Sequence, residues 1–337
     1  MRRWPRLTAL LPIGWLFAAA VPPDPRVAQR MTTLSRATRW TLVAAIPLRF
    51  RTFHPQGMVR IGDSFFVSSV EVRTVPQKLP TSRDGHAYDA GVGVGHLFKV
   101  GADGALLADL VLGERSIYHP GGIDWDGRSI WVPVAEYRPD SRSIVYRVDP
   151  QRMAATPALR VADHVGGVVH DAAGGQLVGV SWGSRRFMAW PIAADGTIGP
   201  MTRPVANPES YVDYQDCHGA GGRLMLCAGV AEYRTTPDAP VFPLGGLDLV
   251  DLATRRPVWQ TPVALWAPSG RAMTQNPFWM EATATGLRAW FLPDDDASTL
   301  FVYDTVTTPP AAVPPTVSRV PAAPPAGTAS PRRRSDR

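Results

Sequence analysis

A four-residue pattern, His-x-x-Gly, recurs along the chain, and three copies, His54-Pro-Gln-Gly57, His119-Pro-Gly-Gly122 and His164-Val-Gly-Gly167, set a phase. Each copy opens a stretch of short apolar runs broken by turn residues. The first two copies continue in phase, because Gly57 to Glu71 and Gly122 to Glu136 are both 14 residues. Repetition at this scale points to a β-propeller or another repeat fold. In a closed ring, three histidines at equivalent points converge on one end of the axis.

The strand count supports a ring. A propeller blade is four antiparallel strands, the first innermost and the fourth outermost. Five segments read as outer strands: 42–53, 107–118, 155–161, 197–205 and 257–265. Five turn dipeptides mark hairpins between first and second strands: Gly62-Asp63, Asp126-Gly127, Gly174-Gly175, Gly221-Gly222 and Thr285-Gly286. Third strands fall at 96–100, 143–148, 187–192, 247–252 and 300–304. An outer strand precedes the first inner one, and the last blade stops after its third. The segment 39–47 therefore completes the last blade and removes an exposed sheet edge. The expectation is a single all-β propeller of five blades over residues 35–305. Six blades is the alternative, if an insertion hides a degenerate one. A glycine early in the inner strand has a steric reason, since inner strands crowd the axis.

Composition agrees with a turn-rich β protein: of 337 residues, 34 are Pro and 30 are Gly, and only 19% are charged. The net charge of +6 resides in the ends. Residues 1–20 carry +3 and residues 306–337 carry +4, which leaves −1 across 21–305. A near-neutral body argues against nucleic-acid binding, which draws on clustered Lys and Arg. Arg2 and Arg3, the apolar run to Ala20 and the small residues Ala18 to Ala20 read as a secretory signal peptide over 1–20. The run is too short for a membrane span. The expected location is secreted or periplasmic, with no stable membrane span after cleavage. Residues 306–337, rich in Pro and ending in Arg, read as a disordered tail. Cys217 and Cys227 flank a Gly-rich turn. In a hairpin they lie opposite each other, within disulfide reach, and a disulfide fits an exported chain.

In a propeller, the links into inner strands and the loops after second strands share one face. His54, His119 and His164 then lie on that face near the axis. Glu71, Glu136 and Glu232 end second strands slightly further out. The long insertions 72–93 and 233–245 overhang the same face, where function tends to sit. Blade four offers Tyr214, Gln215, Asp216 and His218, with a one-residue difference before Gly222 that leaves the histidine position open among them, and blade five offers Asn276 and Glu281. This mixture of imidazole and carboxylate suits a divalent metal (Zn, Fe, Mn or Ni) held by His54, His119, His164, Asp216 and His218. It equally suits acid–base work. Glu71, Glu136 and Glu232 are the candidate catalytic bases. Gln56, Tyr137, Trp182, Tyr233, Asn276 and Glu281 are the candidate substrate contacts. The run Asp294-Asp-Asp296 reads as a solvated loop, or alternatively as a hard-cation site. His86, His96 and His170 read as structural or solvated.

The His-Pro-Gln-Gly and His-Pro-Gly-Gly openings, with the signal-like leader and the ring of strands, resemble an uncharacterised family of exported bacterial and fungal propeller proteins. The resemblance covers roughly residues 35–305 and implies the fold, with no assigned activity. His54 stands where sugar-cleaving five-bladed propellers carry Asp. The His-rich mouth replaces the calcium ligands of propeller lactonases. Two readings of function follow, beside a third in which the histidine ring is purely structural. One is a metal-assisted hydrolase or lyase acting on a small polar molecule. The other is a non-catalytic propeller that binds a carbohydrate or a protein, with Tyr137, Trp182 and Tyr233 stacking on the ligand. A monomer is expected in either case.

Overall fold

The computed structural model describes residues 24–306, apart from 84 and 208–210. The signal-like segment 1–20 and the tail from 307 onward lie outside the described residues. Five antiparallel sheets stand around one axis. Blade one is His54–Ile61, Ser64–Thr74, Val92–Gly101 and Leu106–Leu112. Blade two has a divided inner strand, His119–Pro120 and Asp124–Trp125, followed by Ile130–Ala135, Ser143–Asp149 and Ala154–Val161. Blade three is Gly167–Asp171, Gln176–Val180, Arg186–Pro191 and Val205–Ala206. Blade four is Asp213–Gly219, Leu224–Tyr233, Phe242–Asp251 and Arg256–Val263. Blade five is Phe278–Ala282, Gly286–Phe291 and Thr299–Val306, and its outermost strand is Trp40–Pro47 from the start of the chain. That strand runs antiparallel to Thr299–Val306, with Trp40 opposite Thr305 and Pro47 opposite Thr299. The five-bladed, N-terminally closed ring is the arrangement the repeat pattern implies. The further pair Lys78–Arg83 and His86–Tyr88 is a hairpin in the blade-one insertion.

The strands are apolar at consecutive positions because each blade is covered on both faces. Side chains alternate across a strand, so neighbours in sequence serve neighbouring blades. Met58 and Phe65 pack toward blade five, with Trp290 and Val302. Val59 and Phe66 pack toward blade two, with Ile130 and Ile144. The remaining clusters fill the junctions of blades two and three, three and four, and four and five. Each fully buried Phe or Leu in these layers contributes roughly 2 kcal/mol by leaving water. The helix Pro25–Met31, capped by the Asp24 side chain, adds Val27, Ala28 and Met31 to the last junction.

Two expectations about strands need correction. The outer strand of blade three, expected over 197–205, shrinks to Val205–Ala206 plus an isolated Ile192–Ile198 bridge. Pro200 and Pro204 lie in this segment and have no N–H to give a ladder. The inner strand of blade two breaks at Gly121, because the chain there turns to its neighbours across the axis. Gly122 N donates to Gly166 O at 2.9 Å, and Ile123 N to Asp216 Oδ1 at 3.0 Å. The expected glycine crowding holds at these places. A Cβ on Gly57 would stand 2.6 Å from Ile123 N, and one on Gly122 would stand 2.9 Å from the Cα of Asp216.

Cys217 and Cys227 face each other across the first hairpin of blade four and form a disulfide, with Cα atoms 4.1 Å apart. Replacing both with alanine should lower the unfolding free energy by about 2 kcal/mol, read as a lower urea midpoint with an unchanged slope. An unchanged midpoint would mean that the crosslink adds nothing to this hairpin.

Candidate functional site

Each inner strand runs from one mouth of the axis to the other, so its first residues line one end and its last residues the other. The first residues gather around a cavity of about 330 Å³. His54, His119 and His164 all line it, as their repeat positions imply. Gln56, Asn276 and Glu232 join them, with Tyr137 and Trp182 on the wall. Eight of the sequence candidates therefore meet in one place.

The other candidates lie elsewhere, for identifiable reasons. Glu71 pairs with Arg73 at 2.8 Å on the exposed rim. Glu136 is fully buried and occupied by Ser116, Arg138 and Arg142, at 2.6 to 2.9 Å. Burial raises its pKa, but these hydrogen bonds outweigh burial and hold the carboxyl below its ordinary range. Neither glutamate is placed to act as a base in the cavity. Tyr233 is half exposed and lies outside the lining. His218 and Glu281 line a separate cavity at the opposite mouth. Asp216 lies between the two mouths, within the shaft. Its Oδ2 accepts from Met58 N at 2.9 Å, and its Oδ1 from Ile123 N and Cys217 N at 3.0 and 3.1 Å. The five expected metal ligands are thus divided between two ends of the axis and its middle. Among the described residues, no three His, Cys, Asp or Glu side chains are grouped to hold a metal ion.

Two backbone bulges were not foreseen. In blade one the ladder skips from Pro55 to Gly57, and in blade four from Tyr214 to Asp216. The extra residues are Gln56 and Gln215, and both line the cavity. A bulge re-aims the side chain it carries, here toward the axis. Gln215, rather than Asp216 or His218, therefore occupies the blade-four position at this mouth.

The three imidazoles differ in setting. His54 Nδ1 lies 2.8 Å from Asp295 Oδ1. Asp295 also accepts from Asn276 Nδ2 at 3.0 Å and pairs with Arg271 at 2.7 Å. Burial works against its charge, but His54 and then Arg271 prevail and hold the carboxyl below its ordinary value. The run Asp294 to Asp296 is therefore committed to protein contacts. Asp294 takes Ser269 Oγ at 2.5 Å, and Asp296 takes Arg51 Nε at 2.7 Å. His164 Nδ1 is 3.0 Å from the carbonyl of Glu136. A carbonyl only accepts, so Nδ1 carries the hydrogen and Nε2 is left as an acceptor. Burial lowers the His164 pKa to about 4. Burial, then the nearby charges of His164 and His54, lowers His119 well below its usual value. Both rings are neutral at neutral pH.

An aromatic wall backs them. His119 stacks on Tyr137 with centroids 4.3 Å apart, and His164 meets Trp182 edge-on at 4.8 Å. Sequence reasoning missed the roles of Asp295 and Arg271, while Gln215 was one of four open choices in blade four. Asp295 was visible as part of an acidic run, but nothing in the sequence linked it to His54. His96, stacked between Phe53 and Phe98 and bonded to Asp109, has the structural role expected of it.

A family model matches residues 18–309, which is most of the chain. The protein belongs to the DUF6454 family, a family of unknown function. No curated protein matches it. Solved structures similar to it include the luciferin-regenerating enzyme, at 8% identity over 80% of this chain and 95% of that one, TM-score 0.45. Kuenenia stuttgartiensis hydrazine synthase is similar at 12% identity over 75% of this chain and 66% of that one, TM-score 0.35. A nidogen/laminin complex is similar at 13% identity over 61% of this chain and 63% of that one, TM-score 0.38. Nothing about function passes from likenesses this distant to the DUF6454 chain.

Proposed function

We propose that the cavity at the histidine mouth is an active site for acid–base hydrolysis or elimination on a small polar molecule. The observation that carries this reading is the His54–Asp295 pair at its edge. Asp295 fixes the Nδ1–H tautomer of His54, which leaves Nε2 as a base for water or for a substrate proton. Gln56, Gln215 and Asn276 supply amide donors and acceptors to orient the substrate. Tyr137 and Trp182 supply a flat apolar wall.

The test is a screen of chromogenic esters, lactones and glycosides, followed by His54→Gln on any substrate turned over. The variant should lose roughly a hundredfold in kcat/KM. Wild-type rates in His54→Gln would overturn the assignment.

A binding-only propeller is the second reading, favoured by the exposed indole of Trp182 beside Tyr137. It requires that Trp182→Ala abolish carbohydrate binding while His54→Gln leaves it intact. A divalent metal at His54, His119 and His164 is a separate proposal. It draws support from the neutral state of two of these rings and requires the three to close together. Elemental analysis of the protein beside a His54→Ala/His119→Ala variant tests it. Export to the periplasm or the exterior is proposed from the signal-like leader and the disulfide. No helix among the described residues is long and apolar enough to cross a membrane.

A further inference from the structure

The opposite mouth of the axis holds a second cavity, of about 380 Å³, that the chemistry proposed above does not use. Its floor carries His218, 95% buried and placed by blade four. His218 Nε2 faces Phe278 O at 2.9 Å and Asp216 Oδ2 at 3.2 Å. Nδ1 has no protein hydrogen-bond partner among the described residues. The carboxylate oxygen Asp124 Oδ1 stands 4.0 Å from it, which is beyond a hydrogen bond. Asp124 is itself buried, and its oxygens accept from Gly219 N and His170 N at 3.1 and 3.0 Å.

A single oxygen about 2.8 Å from both Nδ1 and Oδ1 would subtend an angle of roughly 90°, within reach of both hydrogen bonds. With Asp216 Oδ2 at 3.2 Å from one ring nitrogen and Asp124 Oδ1 at 4.0 Å from the other, the two carboxylates favour His218 as imidazolium, which carries a hydrogen on both nitrogens. The oxygen then accepts from Nδ1 and donates to the Asp124 carboxylate. A ligand carboxylate or phosphate cannot donate, and an ammonium cannot accept. A hydroxyl does both. The rest of the cavity selects against charge, because its ions are already matched. Arg60 pairs with Glu281 at 3.0 Å, and Arg26 with Asp24 at 2.7 Å. Two indoles, Trp125 and Trp279, line the same cavity. Trp279 is fixed by its Nε1–H to Glu281 at 2.9 Å. Flat indole faces beside a hydroxyl-reading pair suit a ring with an apolar face and polar edges.

We propose that this second mouth is a binding site for a neutral polyhydroxylated ring, a sugar or cyclitol, with one hydroxyl bridging His218 Nδ1 and Asp124 Oδ1. It is independent of catalysis at the histidine mouth.

The test titrates the full chain with D-glucose, D-galactose and myo-inositol, up to about 10 mM, where even millimolar sites fill. The readouts are ligand saturation-transfer and the ring nitrogen resonances of His218. At least one probe should bind and shift Nδ1 of His218. Its affinity should fall about tenfold or more in Trp125→Ala and stay unchanged in Trp182→Ala. If no probe moves His218, the gap is bridged by water alone and the proposal fails. Loss of binding in Trp182→Ala with retention in Trp125→Ala would also overturn it, by placing the ligand at the other mouth. The wild-type His218 signal decides between these outcomes even if Trp125→Ala does not fold.

Discussion

Asp216→Ala is expected to lower the unfolding free energy by about 4 kcal/mol. The carboxylate is fully buried in the shaft, yet it accepts from Met58 N of blade one, Ile123 N of blade two and Cys217 N of its own strand. It also faces His218 Nε2 at 3.2 Å. Burial raises its pKa, while the charge of His218 pulls the other way. Removing it leaves three N–H groups without their acceptor in a dry interior and takes a counter-charge from His218, and each uncompensated group costs about 1–3 kcal/mol. Asp216 also joins three blades across the axis, so its loss should weaken the whole ring rather than one sheet. Urea unfolding followed by tryptophan fluorescence measures this. Asp216→Asn should fall between wild type and alanine, because one amide oxygen still accepts while the NH₂ meets N–H donors. A midpoint within error of wild type for Asp216→Ala would refute the role of central tether.

The same residue shows where sequence reading succeeds and where it stops. The blade count was legible because apolar runs, turn dipeptides and His-x-x-Gly share one period, and a period survives translation into a ring. The convergence of His54, His119 and His164 followed from that symmetry. What broke symmetry was hidden. The bulges at Gln56 and Gln215 shift one side chain each, and no residue type announces them. One slipped position in blade four moved Asp216 into the shaft and His218 to the far mouth, because alternation sends adjacent residues to different places. Glu136 matched its repeat position but was neutralised by Arg138 and Arg142, two and six residues downstream in the following loop. Asp295 was the reverse case: its contact with His54 spans 241 residues, and only the closed ring brings them together.

Acid should destabilise the fold through the histidines of the cavity. Burial lowers His164 to about 4, against about 6.5 in an unfolded chain. Between these values the unfolded state binds a proton that the native state refuses, so stability falls as pH drops. The stabilisation is fully present above about pH 6.5 and is lost progressively toward pH 4, where His164 alone accounts for about 3 kcal/mol. His119, also lowered, acts with the same sign. His218 acts with the opposite sign: Asp216 and Asp124 overcome burial to raise its pKa. Its contribution persists through the acid window and is lost only as pH rises through its folded value. Unfolding free energies measured across the window should therefore slope downward for wild type and more gently for His164→Gln, which cannot take up the proton. Equal slopes in the two proteins would mean that His164 is not the group held neutral. The burial that creates this acid sensitivity also keeps the His164 ring uncharged at neutral pH, with Nε2 available to accept a hydrogen bond. A molecule bound at that mouth should thus resist acid unfolding in proportion to its occupancy of the neutral state, which ties the stability profile to the site.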